Sequence, residues 1–245
     1  MKLTDMSFKQ KIIALLILPI LGFLWLSVSA ISTGVETKTE MSSLNQLTRL
    51  SVVYSELVHE LQKERGMTAG FIGSQGTKFV SELAAQRTNT DNRRNERNDY
   101  WQFSNINLLQ INRLNTEISQ SLNQITTIRN RVDSQSIPLS EALGYYTQLN
   151  AKLLSVSALI AELSSDATIT NETIAYYNFL QGKERAGIER AVLNNTFSKN
   201  EFGPGMLVKF ISLVTEQNTY FSNFEVLSNP ANVRFFEQQL NDRSV

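Results

Sequence analysis

Apolar residues in the middle of this chain recur in steps of three and four. Ile111, Leu114, Ile118, Leu122, Ile125, Ile128 (or Arg129) and Val132 form one stripe; Leu149, Leu153, Val156, Ile160 and Leu163 form another. This spacing gathers each set on one face of an α-helix and leaves Asn, Gln, Ser and Thr for the opposite face. Strand-like alternation is scarce. Breaks separate the periodic segments at Gly73-Ser-Gln-Gly76, Gln135-Ser-Ile-Pro138, Phe202-Gly-Pro-Gly205, and Ser165-Asp166 with a Thr/Asn-rich turn through Asn171. Asn229-Pro230 reads as an N-cap followed by proline at the first helical position. The pattern predicts helices at about 36–72, 77–102, 105–134, 139–165, 171–197, 205–227 and 230–245.

A different pattern precedes them. Ile12 to Ile31, "IIALLILPILGFLWLSVSAI", carries no charge and is about long enough for a helix to cross a bilayer. Pro19 is tolerable in such a helix. Lys2, Lys9 and Lys11 precede the run; Glu36, Lys38 and Glu40 follow it. That asymmetry places residues 1–11 in the cytoplasm and residues 36–245 outside it. Val28-Ser-Ala30 also resembles a cleavage site, but the apolar run is longer than the usual core of a signal peptide.

Composition narrows the function. Lys plus Arg and Asp plus Glu both total 23, so the net charge is zero, which argues against a nucleic-acid partner. There is no cysteine and one histidine, His59, so neither a thiolate metal site nor a catalytic triad is expected. No glycine-rich loop follows a strand and no nucleophile–base pattern appears. The chain is expected to be non-enzymatic and to use no cofactor. The basic run Arg87 to Arg97 reads as a solvated helix face, or as a surface that steers a ligand.

One motif occurs twice. Leu61 to Gly73 reads "LQKERGMTAGFIG" and Leu180 to Leu193 reads "LQGKERAGIERAVL". On a helix, Tyr54, Leu57, Val58, Leu61, Arg65, Thr68 and Ile72 share a face, so Arg65 stands where leucine is expected. Ile174, Tyr177, Gln181, Arg185, Ile188 and Val192 share another, and Arg190 lies on a neighbouring face with Phe179, Ala186, Leu193 and Phe197. A guanidinium on an apolar face needs a counter-charge. Carboxylates at Glu56, Glu60, Glu64, Glu184 or Glu189 would supply one; so would a bound anion. Gly66, Gly70 and Gly73, and the small residues Gly182, Ala186, Gly187 and Ala191, predict close approach of another element or a ligand. Two such crossings would bring Arg65 towards Arg185 or Arg190, and the planar forks suit a flat oxyanion between them.

These stretches resemble the NIT domain, the nitrate- and nitrite-sensing domain of bacterial receptors. The resemblance rests on Glu-Arg-Gly of the first motif, the glycines after it, Phe79, Gln86-Arg87 with Thr90-Asp91, and "KERAGIERAVL". It covers about residues 40–245 and implies an all-helical domain of two four-helix bundles with nitrate or nitrite bound between them. Arg65, Arg185 and Arg190 match the motif arginines, with Gly66 beside them; Arg234 or Arg243 are further basic candidates that no motif fixes. The expected architecture is all-α: a transmembrane helix at 12–31, then pseudo-repeated antiparallel bundles at about 36–134 and 139–245, the second short of its last helix. The family places this sensor before chemoreceptor, histidine-kinase, cyclic-dinucleotide or RNA-binding antiterminator outputs. A homodimeric chemotaxis receptor with cytoplasmic signalling partners is the expected setting, and a non-binding helical scaffold is the alternative.

Overall fold

The computed structural model describes residues 7–104, 106–164 and 166–241. Lys2, Ser165 and Arg243 lie outside them. Every element among the described residues is an α-helix: α1 (Phe8–Gly73), α2 (Val80–Phe103), α3 (Leu109–Asn123), α4 (Ile125–Asp133), α5 (Leu139–Leu163), α6 (Ala167–Lys199), α7 (Met206–Leu227) and α8 (Pro230–Leu240). The all-α expectation holds. The chain forms two compact units, Met1–Asn45 and Gln46–Val245.

In the first unit, α1 carries Leu15–Val35, 21 residues long and apolar enough to cross a membrane by length and composition. Leu15, Phe23 and Trp25 there are all more than two-thirds exposed. Pro19 sits inside the helix.

In the second unit, a principal core gathers Leu50, Tyr54, Leu57 and Leu61 of α1 with Ile111, Ile118 and Leu122 of α3. Ile125 of α4, Tyr146, Leu149 and Leu153 of α5, and Leu180 of α6 complete it. The apolar stripes read from the sequence are therefore its walls. A second, aromatic core joins α6 to α7 and α8. The Phe236 ring centroid lies 5.1 Å from those of both Phe221 and Phe224 and 6.0 Å from that of Phe179. Each such pair adds about 0.5–1.5 kcal/mol beyond area burial. α5 packs on both α3 and α6, and α6 packs along α7.

Two boundaries differ from the periodic pattern. The single helix expected at 105–134 is two helices meeting at Gln124, whose amide donates to Ser121 O at 3.1 Å. That three-residue closure tightens the turn without rotating the stripe out of the core: Leu122, Ile125 and Val132 all stay buried. The Thr/Asn-rich segment before Asn171 is helical, because Asp166 caps α6 by accepting from Thr168 N and Ile169 N at 2.8 and 2.9 Å. Asn229 caps α8 as the sequence indicates, and Glu172 of α6 accepts from its side chain at 2.9 Å, fixing where α8 begins.

Candidate functional site

Arg65 is inward, as its place among leucines requires. Its side chain is 3% exposed and its fork meets Glu184 of α6, whose side chain is 2% exposed. One terminal nitrogen donates to Glu184 Oε1 and to Thr147 Oγ1 of α5 (3.1 Å for the latter); the other donates to Glu184 Oε2 at 3.3 Å. Glu184 Oε2 accepts two further bonds, from Gln62 Nε2 at 2.7 Å and Asn150 Nδ2 at 3.3 Å. Asn150 is fully buried, and its Oδ1 has no hydrogen-bond partner among the described residues. The result is a planar carboxylate in an arginine fork, flanked by neutral donors and closed from water.

Glycine makes the approach possible. A Cβ at Gly187 would lie 2.9 Å from the terminal nitrogen of Arg65, so the guanidinium rests against the backbone of α6. Gly182 similarly seats the ring of Phe221 and Gly70 that of Phe79. The close approaches read from the sequence are thus filled by side chains of other elements. Gly66 is exposed, and a Cβ there would meet nothing within 4 Å.

Glu64, the other half of the first motif, is fully buried and faces a different partner. Arg129 donates Nε and a terminal nitrogen to its two oxygens at 2.8 and 2.9 Å, and Tyr146 donates its hydroxyl at 2.8 Å. Arg129 also clasps Asp91 of α2 at 2.8 and 2.9 Å. Burial opposes the charge on Arg129, but the hydrogen bonds and charges of Glu64 and Asp91 outweigh it and raise its pKa further. Burial, then the charge of Glu64, push the Tyr146 phenol well above its ordinary value. Gln86 binds the carboxylate of Glu60 at 2.6 Å, and Arg87 pairs with Asp133. These residues of α2 staple it to α1 and α4.

The second motif behaves otherwise. Arg185 is half-buried, pairs with Glu216 of α7 and lies over the Tyr220 ring at 5.4 Å. Arg190 is exposed, so the inward orientation expected for it is not found. The rotation of α6 is the reason: the face turned to α1 carries Leu180, Glu184 and Gly187, which puts Arg185 towards α7. Arg65 and Arg185 therefore engage different carboxylates on different helices. Arg234, the other basic candidate within the described residues, is exposed on α8.

Two further groups were not legible as sites. Arg97 is buried and donates to Asn115 and to Ser119 Oγ (3.2 Å), with its guanidinium 5.1 Å from the Tyr54 ring centroid. The basic run is therefore not uniformly solvated. His59 lines a groove of about 250 Å³ with Ser55, Glu56, Arg93, Tyr176 and Lys183. Lys183 Nζ lies 3.1 Å from His59 Nδ1. Partial burial, then the charge of Lys183, lower the pKa of His59.

Comparison with known proteins finds relatives of the chain as a whole. The nitrate regulatory protein of Klebsiella oxytoca is 27% identical over 205 residues, 82% of this chain and 51% of that protein. The structure of the NasR transcription antiterminator matches with a TM-score of 0.78 at 25% identity, over 84% of this chain and 57% of that one. The chain thus spans about half the length of these relatives. The family model for nitrate and nitrite sensing matches residues 56–245, a stretch that contains both Lys-Glu-Arg motifs and the buried ion-pair residues Glu64, Arg65, Arg129 and Glu184. The chain belongs to the NIT family, the nitrate- and nitrite-sensing domains.

Proposed function

We propose that this chain is the extracytoplasmic sensor of a bacterial transmembrane receptor, and that Arg65 is its principal contact with nitrate or nitrite. The observation that carries the ligand reading is the buried Arg65 fork, already shaped around two oxygens of a planar anion. Nitrate and nitrite offer the same coplanar pair of oxygens, and a guanidinium binds such a pair bidentately. Of the residues expected from the sequence, Arg65 has this support. Arg185 would need to leave Glu216 to join it, Arg190 faces solvent, and a Cβ at Gly66 would meet nothing within 4 Å. Four heavy atoms limit nitrate to about −6 kcal/mol, a dissociation constant of tens of micromolar at best.

The membrane reading is supported by Leu15–Val35, which lies on the helix that also carries Arg65. A ligand that moves α1 acts on a helix continuous with the apolar run. A chemotaxis output and a homodimeric state complete the proposal. The relatives' names speak of regulation and antitermination, which stand for those proteins.

Calorimetry of the full chain in detergent, titrated with nitrate, tests the ligand claim. Wild type is expected to bind with a dissociation constant on the order of hundreds of micromolar, weaker than the limit that its heavy atoms set, and Arg65→Lys to bind far more weakly. Equal binding by both removes Arg65 from the site. Protease protection of residues 46–241 in right-side-out and inverted vesicles tests the topology.

One observation favours a second reading, a membrane-anchored scaffold: Glu184 already neutralises Arg65. That reading predicts no change in thermal midpoint with nitrate at any concentration.

A further inference from the structure

The Arg65 fork is occupied by the protein's own carboxylate, so an incoming anion cannot simply add to it. We propose that Glu184 is a tethered competitor for the anion site, displaced by the ligand and neutralised by taking up a proton as it leaves the fork. The proposal rests on the anion-sensing reading of Arg65 given above.

Three features support exchange. Glu184 presents to Arg65 a planar anion with the same two-oxygen edge as nitrate, so the two fit one fork and exclude one another. Its Oε2 already has neutral donors in Gln62 and Asn150, which keep a place for the side chain once Arg65 lets go. Asn150 Oδ1 is buried and accepts from nothing among the described residues. It is the acceptor that a protonated Glu184 would use.

Charge decides why a proton is needed. In the structure Arg65 and Glu184 sum to zero in a space closed from water. Adding nitrate leaves one negative charge in excess, and an unpaired buried charge is expensive. The charged or titratable groups facing Glu184 are Arg65 of α1 and Lys183 beside it on α6; from α5 it meets the amide of Asn150. Lys183 is already engaged with His59 in the groove. With Arg65 claimed by the anion, a proton from solvent on Glu184 restores neutrality, and its new O–H donates to Asn150 Oδ1. Sensing is then the loss of an ion pair between α1 and α6.

Calorimetric titration of sodium nitrate into the full chain in detergent, in two buffers of different ionisation enthalpy at one pH, tests this. Wild type is expected to take up about one proton per nitrate bound, the proton that neutralises the displaced carboxylate. Glu184→Gln should take up none and bind about tenfold or more tighter, because a neutral amide competes less for the fork. Should that variant fail to fold, Glu184→Asp keeps the charge but draws it back by one methylene, and should show a smaller gain in the same direction. Wild-type binding without proton uptake, or a glutamine variant that still takes up a proton or binds no tighter, overturns the exchange while leaving the anion site standing. Absence of nitrate binding in wild type and all variants overturns the site itself. Binding by the variants alone shows that nitrate cannot displace Glu184, and overturns the exchange.

Discussion

The two Lys-Glu-Arg motifs are identical in letters and differ in what the fold does with them. At 63–65 both the glutamate and the arginine are buried, on adjacent faces of a helix enclosed by α2, α4, α5 and α6. At 183–185 only the glutamate is buried; the arginine reaches α7, against a glutamate about half exposed. The repeat is also not paired symmetrically. Arg65 takes Glu184 of the other copy, yet Glu64 takes Arg129 instead of Arg185. A tripeptide thus sets the chemistry that is available, and the number of helices packed around it sets which charges must be neutralised internally. Arg65 is the cation whose partner choice is most constrained, and therefore the one an anion would perturb most.

Truncation separates the two copies most strongly. Arg65→Ala strands Glu184 in the core and should destabilise the domain by about 3–5 kcal/mol. Arg185→Ala breaks a partly exposed pair and should cost about 1 kcal/mol. Urea unfolding of both measures the contrast, and similar losses would erase the distinction drawn between the motifs.

The glycines give the next effect, with opposite signs. Gly187→Ala drives a methyl group to within 2.9 Å of the held terminal nitrogen of Arg65. Overpacking of this kind costs about 1–3 kcal/mol, more than the roughly 1 kcal/mol that alanine contributes to a helix. Gly66→Ala meets open space and should stabilise by up to about 1 kcal/mol. Thermal midpoints moving down for the first and up for the second would sharpen the account; both moving up would break the claimed contact between Arg65 and α6.

Proton linkage supplies smaller tests. Burial of Glu60 opposes ionisation, but hydrogen bonds from Gln86 and Lys63 outweigh it and hold its pKa below the ordinary value of 4.5. That stabilisation is present above the unfolded pKa and is lost as pH falls through the folded one. Gln86→Leu should therefore flatten the loss of stability between about pH 5 and pH 3, measured by urea unfolding at several pH values. His59 links the two motifs through Lys183, and its pKa lies below the ordinary 6.5. Its neutral form is favoured in the fold, so stability is present above the unfolded pKa and declines as pH falls through the folded value. His59→Gln should remove that small decline below about pH 6.5, and an unchanged slope would show that neither burial nor Lys183 holds His59 neutral in the fold.

Much of the fold was legible because helical periodicity is a local signal. The stripes of α3–α4 and α5, the cap at Asn229 and the breaks at Gly73, Pro138 and Pro204 are written in neighbouring residues. The alternative left open at Ile128 or Arg129 is resolved by a tertiary partner: Arg129 is buried because Glu64 and Asp91 receive it. Gln124 carries no breaker chemistry, so the division of α3 from α4 left no mark in the sequence. The inward Arg65 was legible from its place among leucines, and Glu184 was one of several carboxylates that might have met it. Choosing among them required the rotation of α6, which depends on the packing of Phe221 onto Gly182 and of Arg65 onto Gly187. The same rotation turns Arg185 and Arg190 away from Arg65, against the convergence that the repeated motif suggested.

The central claim is that Arg65 exchanges an internal carboxylate for an external anion. A crystal structure of the chain grown with nitrate tests it most directly. The account predicts nitrate seated in the Arg65 fork, with the Glu184 carboxylate turned onto Gln62 and Asn150. An intact Arg65–Glu184 pair with nitrate bound elsewhere would contradict it.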